Sequence, residues 1–457
     1  MLEKRVKEAI LRVRDMAAKQ GVQAAFTLHR EDSHLMRIGN SSVSLSTSER
    51  LTRLEIHVVE GRREGSHTQM MEITSADVVE AALETARSKA RVGAEKDYQP
   101  LLPKVRQSIE EEPQLDSAVA GLDPAAKAEG YGEIFRGAGE EYNYSGSWSS
   151  GMMEIYLVST ANGNEAYHCG TDWKFSVVLK HPEEKWELQH GQTGWRADDF
   201  DPQLSIDSFR GYLPVCSDNA GVKVDPGEYS VLFGAEALAD ICAMAAFTGL
   251  SGRMWEEKLG WTSGSDLGES IMGENLTLVD DPTSDLTFRM GFDQGGIARK
   301  PFTVVENGVM KNLFYDLATA AKYDREPTGH DTGSPSLVLK TGNGPEDPME
   351  AVRCLNRVLY IPALHYMNMP SMAKGIFTGS SRFSATVIEE GEITAPLFST
   401  RITDSFGKVL SSIRLLSSRA VSQNQSNTYA RRSPRAMSVP SYAVVQGVKV
   451  TDSADSF

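Results

Sequence analysis

Cysteine is scarce and scattered: four residues in 457, at positions 169, 216, 242 and 354. Neither CxxC spacing nor clustering occurs, which excludes a disulfide scaffold and a zinc-finger arrangement. Isolated thiols fit a reducing compartment. Long apolar runs are missing too. The most apolar stretch, Leu238 to Leu250, contains Asp240 and falls short of the roughly 20 residues a membrane-spanning helix needs. No apolar h-region follows Met1-Leu2-Glu3-Lys4-Arg5-Val6-Lys7, so the expected location is the cytoplasm and no membrane contact is expected. Positive charge is in deficit, with 47 Lys plus Arg against 62 Asp plus Glu and a net charge of −15. Binding to a duplex draws on cations that neutralise phosphates, so nucleic acid is not an expected partner.

Common catalytic signatures are absent as well. There is no GxxxxGK[ST] for a nucleotide's phosphates and no GxSxG nucleophile elbow. The nine His stand at 29, 34, 57, 67, 168, 181, 190, 330 and 365. No two are four apart, so the HExxH device, two imidazoles on one helix face with a Glu base, cannot be built. His168-Cys169 lies in a predicted strand, where neighbouring side chains face opposite ways, which favours packing over metal ligation. Asp280, Asp281 and Asp285 lack the spacing and terminal Glu of a calcium loop and read as a polar turn. Arg431-Arg432-Ser433-Pro434-Arg435 reads as a solvated surface loop.

What is present is a long α+β pattern, about three single-domain lengths, with 40% hydrophobic residues to build cores. Leu2, Val6, Ala9, Ile10, Val13, Met16 and Ala17 recur at helical spacing. The period then changes to two through Val22, Ala24, Phe26 and Leu28, and again through Leu54, Ile56 and Val58. A hairpin turn is expected at Gly39-Asn40, and a second helix opening at Thr74 with Asp77 as its capping partner. The first unit, 1–93, therefore reads α-β-β-β-α. Pro100, Pro103, Pro113 and the acidic run at 110–112 mark 94–125 as a linker. A middle α+β region, 126–222, carries a helix near 124–140 and an antiparallel hairpin turning at Ala161-Asn162-Gly163-Asn164. A third strand is expected within Trp186–Trp195, then a short helix. The last unit, 223–457, is β-rich, with runs at Tyr229–Phe233, Leu276–Val279, Leu286–Phe292 and Val304–Glu306 and a helix at Ala235–Phe247.

Within that last unit stand Gly291-Phe292-Asp293-Gln294-Gly295-Gly296-Ile297-Ala298-Arg299, then Val305-Glu306-Asn307-Gly308-Val309-Met310-Lys311. Leu317-Ala318-Thr319-Ala320-Ala321-Lys322-Tyr323 and Pro327-Thr328-Gly329-His330 follow, and further on Phe377-Thr378-Gly379 and Ile388-Glu389-Glu390-Gly391-Glu392-Ile393. In order and spacing these resemble the TldD/PmbA family, long labelled "modulator of DNA gyrase" and understood as a two-subunit zinc peptidase system. The catalytic branch of that family carries an HExxH helix and a further Cys ligand near the C-terminus. Here the corresponding helix, Leu238–Gly252, has no His and no Glu, and no Cys follows Cys354.

The resemblance thus points to the PmbA/TldE-like branch. It implies a non-catalytic subunit of a metallopeptidase acting on unfolded peptides, paired as a heterodimer with a TldD-like catalytic subunit. No catalytic residue, metal ligand or cofactor is expected in this chain, and the zinc is expected in the partner. The groove contacting substrate or partner is expected at Asp293, Gly295, Gly296, Thr328, Gly329 and Gly379. Gln294 departs from the second acidic residue often found at that place. Two alternatives remain: a stand-alone, homodimeric regulatory protein without proteolysis, and an enzyme with a metal site assembled from scattered His.

Overall fold

The computed structural model describes residues 2–110, 112–121, 123–331, 336–426 and 431–457. Helical spacing becomes α1 (Lys4–Lys19), which buries Val6, Ala9, Ile10, Val13 and Ala17. Three strands follow, β1 (Gln23–Gly39), β2 (Ser42–Glu60) and β3 (Arg63–Met70), then α2 (Ala76–Val92). β1 and β2 pair antiparallel from Gln23↔Val59 to Gly39↔Ser42. Asn40 and Ser41 both take positive φ, 50° and 56°, the backbone a two-residue hairpin turn requires. The second helix begins later than the spacing suggests: its N-cap is Ser75, and no side chain closes the cap.

Ala24, Phe26 and Leu28 join Leu54, Ile56 and Val58 in a core under α1 and α2. Contact between α2 and β3 depends on Gly65, where an added Cβ would lie 2.3 Å from the backbone nitrogen of Ala90. Gly65→Ala must push helix and strand apart, so we expect a loss of about 2 kcal/mol, read as a lower urea midpoint; an unchanged midpoint would refute the close fit.

Among the described residues the next segment contains only short pieces, β4 (Ile109–Glu110) and α3 (Ser117–Ala120), before α4 (Pro124–Ala138). α4 starts where Asp123 accepts the Ala125 N–H at 2.9 Å, with Pro124 in the first turn. β5 (Asn143–Ser159) and β6 (Glu165–Lys180) form the expected hairpin, held by the Asn164 N–H donating to Asn162 Oδ1 at 3.1 Å. β7 (Glu187–Gly194) adds to β6, and α5 (Pro202–Asp218) is a full 17 residues rather than short.

The units expected at 1–93 and 126–222 share one sheet. β1 pairs β5 from Ala25↔Ser159 to Ile38↔Gly146, giving the order β3-β2-β1-β5-β6-β4 with β7 on β6. Alternation reports which face of a strand is buried and is silent on which edge finds a partner. Nothing in the pattern therefore revealed the join.

The remaining elements are β8 (Gly227–Gly234), α6 (Ala235–Gly249), α7 (Gly252–Glu256), β9 (Leu278–Asp280), β10 (Phe302–Glu306), β11 (Val309–Met310), α8 (Leu317–Tyr323) and β12 (Leu337–Leu339). After them come α9 (Pro348–Val352), β13 (Val358–Ile361), β14 (Leu364–Ser371), β15 (Ile376–Ser381), β16 (Thr386–Glu389), β17 (Glu392–Pro396) and β18 (Thr400–Ser405). The chain closes with α10 (Phe406–Ser411), β19 (Ile413–Leu416), β20 (Ala420–Asn424), β21 (Ala436–Pro440) and β22 (Tyr442–Ser453).

Two sheets result, β11-β10-β9-β12-β21-β20 and β14-β15-β18-β22-β8-β13-β16-β17 with β19 on β22. α6 packs into the large core between them, burying Leu238, Ile241, Cys242, Ala245 and Ala246. Leu286–Phe292 is not a strand. Thr287 Oγ1 donates to the Asp281 carbonyl at 3.0 Å, and only Phe292 makes an isolated bridge, to Ala298. Its aromatic residues anchor a loop instead of lining a ladder. The class is α+β, as the pattern indicates.

Candidate binding groove

Helices α1 and α2 cover the face of the N-terminal sheet that bears Ala24, Phe26 and Leu28. Its other face, bearing Ala25, Thr27 and Glu55, meets the C-terminal domain across a groove of about 430 Å³. The linker residues Tyr98, Pro100, Leu101 and Pro103 form one rim, and the loop 290–295 with the start of α8 forms the other. The linker is tied to that loop, since the Lys104 N–H donates to the Gly295 carbonyl at 3.1 Å.

Loop 291–299 folds back on itself. The Asp293 N–H donates to the Ile297 carbonyl and the Gly296 N–H to the Asp293 carbonyl, both at 3.0 Å, and the Arg299 N–H reaches the Gly291 carbonyl at 2.7 Å. Gly296 takes φ +74°, and a Cβ there would lie 2.9 Å from Val105 Cγ2 and 3.1 Å from Leu157 Cδ2. Only glycine gives both that backbone and that contact at low cost. Within the loop Asp293 is 2% exposed. Its Oδ1 accepts the Ile297 N–H at 2.9 Å, while Oδ2 is buried with no hydrogen-bond partner. Burial pushes this carboxyl up to about 6, and the nearby charge of Asp331 adds to the shift.

Asp280 fixes the back of the loop. It is completely buried, which corrects its reading as part of a polar turn; Asp281, accepting the Thr283 N–H at 2.9 Å, and the exposed Asp285 do lie in turns. Arg299 Nη2 donates to both Asp280 carboxylate oxygens, at 2.8 and 2.9 Å. His330 Nδ1 and the Ser336 N–H complete the set, each at 2.5 Å. Burial opposes ionisation of Asp280, but the His330 hydrogen bond and the Arg299 charge outweigh it and hold the carboxyl below its usual range. The sequence pattern gave no hint of this cluster, because its members are 19, 50 and 56 residues from Asp280.

Of the expected groove residues, Asp293 and Gly295 line the cavity together with Gln294. Gly296 packs behind it. Thr328 and Gly329 sit further back. Thr328 Oγ1 accepts the Tyr315 N–H at 3.2 Å, and a Cβ on Gly329 would lie 3.0 Å from Ile297 Cγ2, so both shape the loop's support. Gly379 is elsewhere, in β15 opposite Ile402 of β18, with Leu364 and Met367 beside it. The expected solvated loop at 431–435 is also corrected. Arg432 is 3% exposed, and Arg431 lines the groove.

A second cavity, about 350 Å³, lies against α6. Glu236 and Asp240, one helical turn apart, face it with Lys174 and His365. Burial raises both carboxyls, and Gln425 Nε2 donates to Asp240 at 2.9 Å. Cys242 points into the core, its thiol pushed up to about 12 by burial. Zinc takes three or four imidazole, thiolate or carboxylate ligands. Among the described residues no three His, Cys, Asp or Glu converge in that way, so the side chains around α6 do not fit a zinc site.

Residues 226–452 match the family described as the PmbA/TldA metallopeptidase C-terminal domain. A metalloprotease of Methanothermobacter thermautotrophicus is 29% identical over 157 residues, 32% of this chain and 33% of that protein. The matched stretches cover a third or less of the curated relatives' lengths. The fold is similar to that of TldE from Thermococcus kodakarensis, with a TM-score of 0.81 and 16% identity over 97% of this chain and 100% of the other. It is also similar to that of a Thermotoga maritima protein described as a candidate modulator of a DNA gyrase, with a TM-score of 0.80, 18% identity and the same coverage. By residues 226–452 the C-terminal domain of this chain belongs to the TldD/PmbA family, and the chain as a whole shares the fold of these two solved structures.

Proposed function

We propose that this chain is the non-catalytic, TldE-like subunit of a cytoplasmic zinc metallopeptidase that acts on unfolded peptides, the zinc site belonging to a TldD-like partner. The observation that carries this reading is the surface of α6. Where a catalytic helix needs imidazoles and a Glu base, α6 buries Ile241, Cys242, Ala245 and Ala246 and turns only Glu236 and Asp240 toward a cavity. The groove is meanwhile lined by β1, β2, the linker and loop 290–295 and encloses about 430 Å³. An extended peptide lying there would meet the side chains of β1, β2 and loop 290–295, since both edges of β1 are already paired.

The test is peptidase activity on an unstructured peptide, measured for this chain alone, for a TldD-like partner alone and for the mixture. Activity is expected to rise at least tenfold in the mixture and to vanish with a chelator. The chain alone is expected to be inactive and to hold no stoichiometric transition metal. A metal-loaded, active chain on its own would overturn the assignment. A chain that forms only homodimers with every partner tried would do the same, and would favour a stand-alone regulator.

A further inference from the structure

The groove is strongly acidic, and one of its carboxylate oxygens is left over. Glu55, Glu64, Asp293, Asp316 and Asp331 line it, against a single guanidinium, Arg431, among the described residues. Most of these charges have visible work. Glu64 is met by His57 Nε2 and by Lys96 Nζ, each at 3.1 Å. Asp316 Oδ1 accepts the Thr319 N–H at 2.7 Å and caps α8. Arg431 sits in the field of Glu55 and Glu31. Asp293 Oδ2 differs: it is buried at the cavity wall and accepts nothing. A buried acceptor without a donor is uncommon in folded proteins and calls for an explanation.

We propose that Asp293 Oδ2 is the anchor of a cation site, receiving the ammonium or guanidinium of an extended peptide from its amino terminus or from a Lys or Arg side chain. This rests on the peptide reading above. The shape agrees with it. Ile155, Leu157, Met290 and Leu317 give the groove apolar wall beside Asp293, which suits the methylene stem of a long cationic side chain while its head reaches the carboxylate. Gln294 is neutral, which leaves Asp293 as the single carboxylate of the loop's cavity-lining stretch.

Binding must then depend on pH. With its carboxyl pushed up to about 6 by burial, Asp293 gains a proton as the solution is acidified from neutral and loses its attraction for a cation. Asp331 and Arg299 face it from within its domain, and Glu55, His57, Glu64, Asp316 and Arg431 share the cavity. The Asp293→Asn variant therefore serves to isolate its part. Asn keeps an acceptor for the Ile297 N–H.

The experiment is fluorescence anisotropy of the full-length chain with one unstructured peptide in three forms: free amino terminus without Lys, acetylated with one Lys, and acetylated with norleucine in place of Lys. At pH 7.5 at least one cationic form is expected to bind at least tenfold more tightly than the neutral form, and the two cationic forms distinguish terminus from side chain. From pH 7.5 to pH 5 the preferred form should weaken roughly tenfold, as expected for a carboxylate titrating near 6. In Asp293→Asn both the preference and the pH effect should disappear. Equal binding of all three forms would sink the cation site and leave the peptide reading standing. Binding of lysinamide, lost in Asp293→Asn, with no binding of any peptide would do the reverse. No binding of either probe would overturn both. Should the variant misfold, a flat wild-type profile between pH 5 and 7.5 would suffice to reject the proposal.

Discussion

Arg432→Met is expected to cost roughly 3–5 kcal/mol, the range for removing one member of a buried ion pair. Arg432 reaches from the C-terminal domain into the polar face of the N-terminal sheet. Its Nε donates to Asp172 Oδ1 at 2.8 Å and its terminal nitrogen to the Asp172 carbonyl at 2.8 Å. Its N–H donates to Glu31 at 2.7 Å, and Glu31 also accepts from Arg53 at 2.9 Å. Burial drives His29 down to about 3, so its ring is neutral, and Nε2–H donates to the Arg432 carbonyl at 2.8 Å. The approach is close enough that a Cβ on Gly151 would lie 3.1 Å from Arg432 Cζ. Methionine matches the length of the arginine stem but leaves Asp172, 1% exposed, as an uncompensated charge. Urea unfolding followed by tryptophan fluorescence, to which Trp173, one residue from Asp172, contributes, reads this loss. The double variant Arg432→Met with Asp172→Leu should regain more than half of the loss, because an apolar pair of similar size removes the stranded charge. A loss under about 1 kcal/mol would mean that water reaches the cluster and that the two domains are held by other contacts.

The sequence disclosed those parts of the molecule that repeat locally. Helical spacing located α1, and alternation located the buried face of β1 and β2, because each signal is confined to one element. Asn162-Gly163 marked the β5–β6 turn for the same reason. What escaped was every feature built from distant residues. Asp280 was read with its neighbours Asp281 and Asp285, yet its partners are Arg299, His330 and Ser336. Arg432 was read from the basic run around it, yet its environment is set by Glu31 and Asp172, both more than 250 residues away. A charge run looks solvated until the acids that face it are known. The groove was half legible: the family pattern singled out Asp293 and Gly295, but the opposing wall is supplied by β1, β2 and the linker, which carry no motif.

Asp280→Ala is expected to destabilise the chain by roughly 3–5 kcal/mol at pH 7.5 and, through the loop it holds, to weaken cation-dependent peptide binding as well. The substitution strands three donors at once. Arg299, with its side chain 2% exposed, keeps the Met290 carbonyl, at 3.1 Å, as its one hydrogen-bond acceptor among the described residues. His330 loses its carboxylate and retains its stacking on Phe302, with ring centroids 4.7 Å apart. The Ser336 N–H loses its acceptor. Because the Asp280 carboxyl is held below its usual range in the folded chain, its stabilising contribution is fully present above the unfolded pKa of about 4. It fades as the pH falls through the still lower folded value. The gap between wild type and Asp280→Ala should therefore be widest near neutrality and narrow as the pH falls below the unfolded value, a trend that denaturant midpoints across pH would reveal. A gap constant with pH would assign the loss to cavity formation instead of charge. Asp293→Asn offers the contrast. It should abolish the cation preference without a comparable fall in stability, since its Oδ2 makes no hydrogen bond to lose. The two variants thus separate the residue proposed to meet the ligand from the residue that positions it.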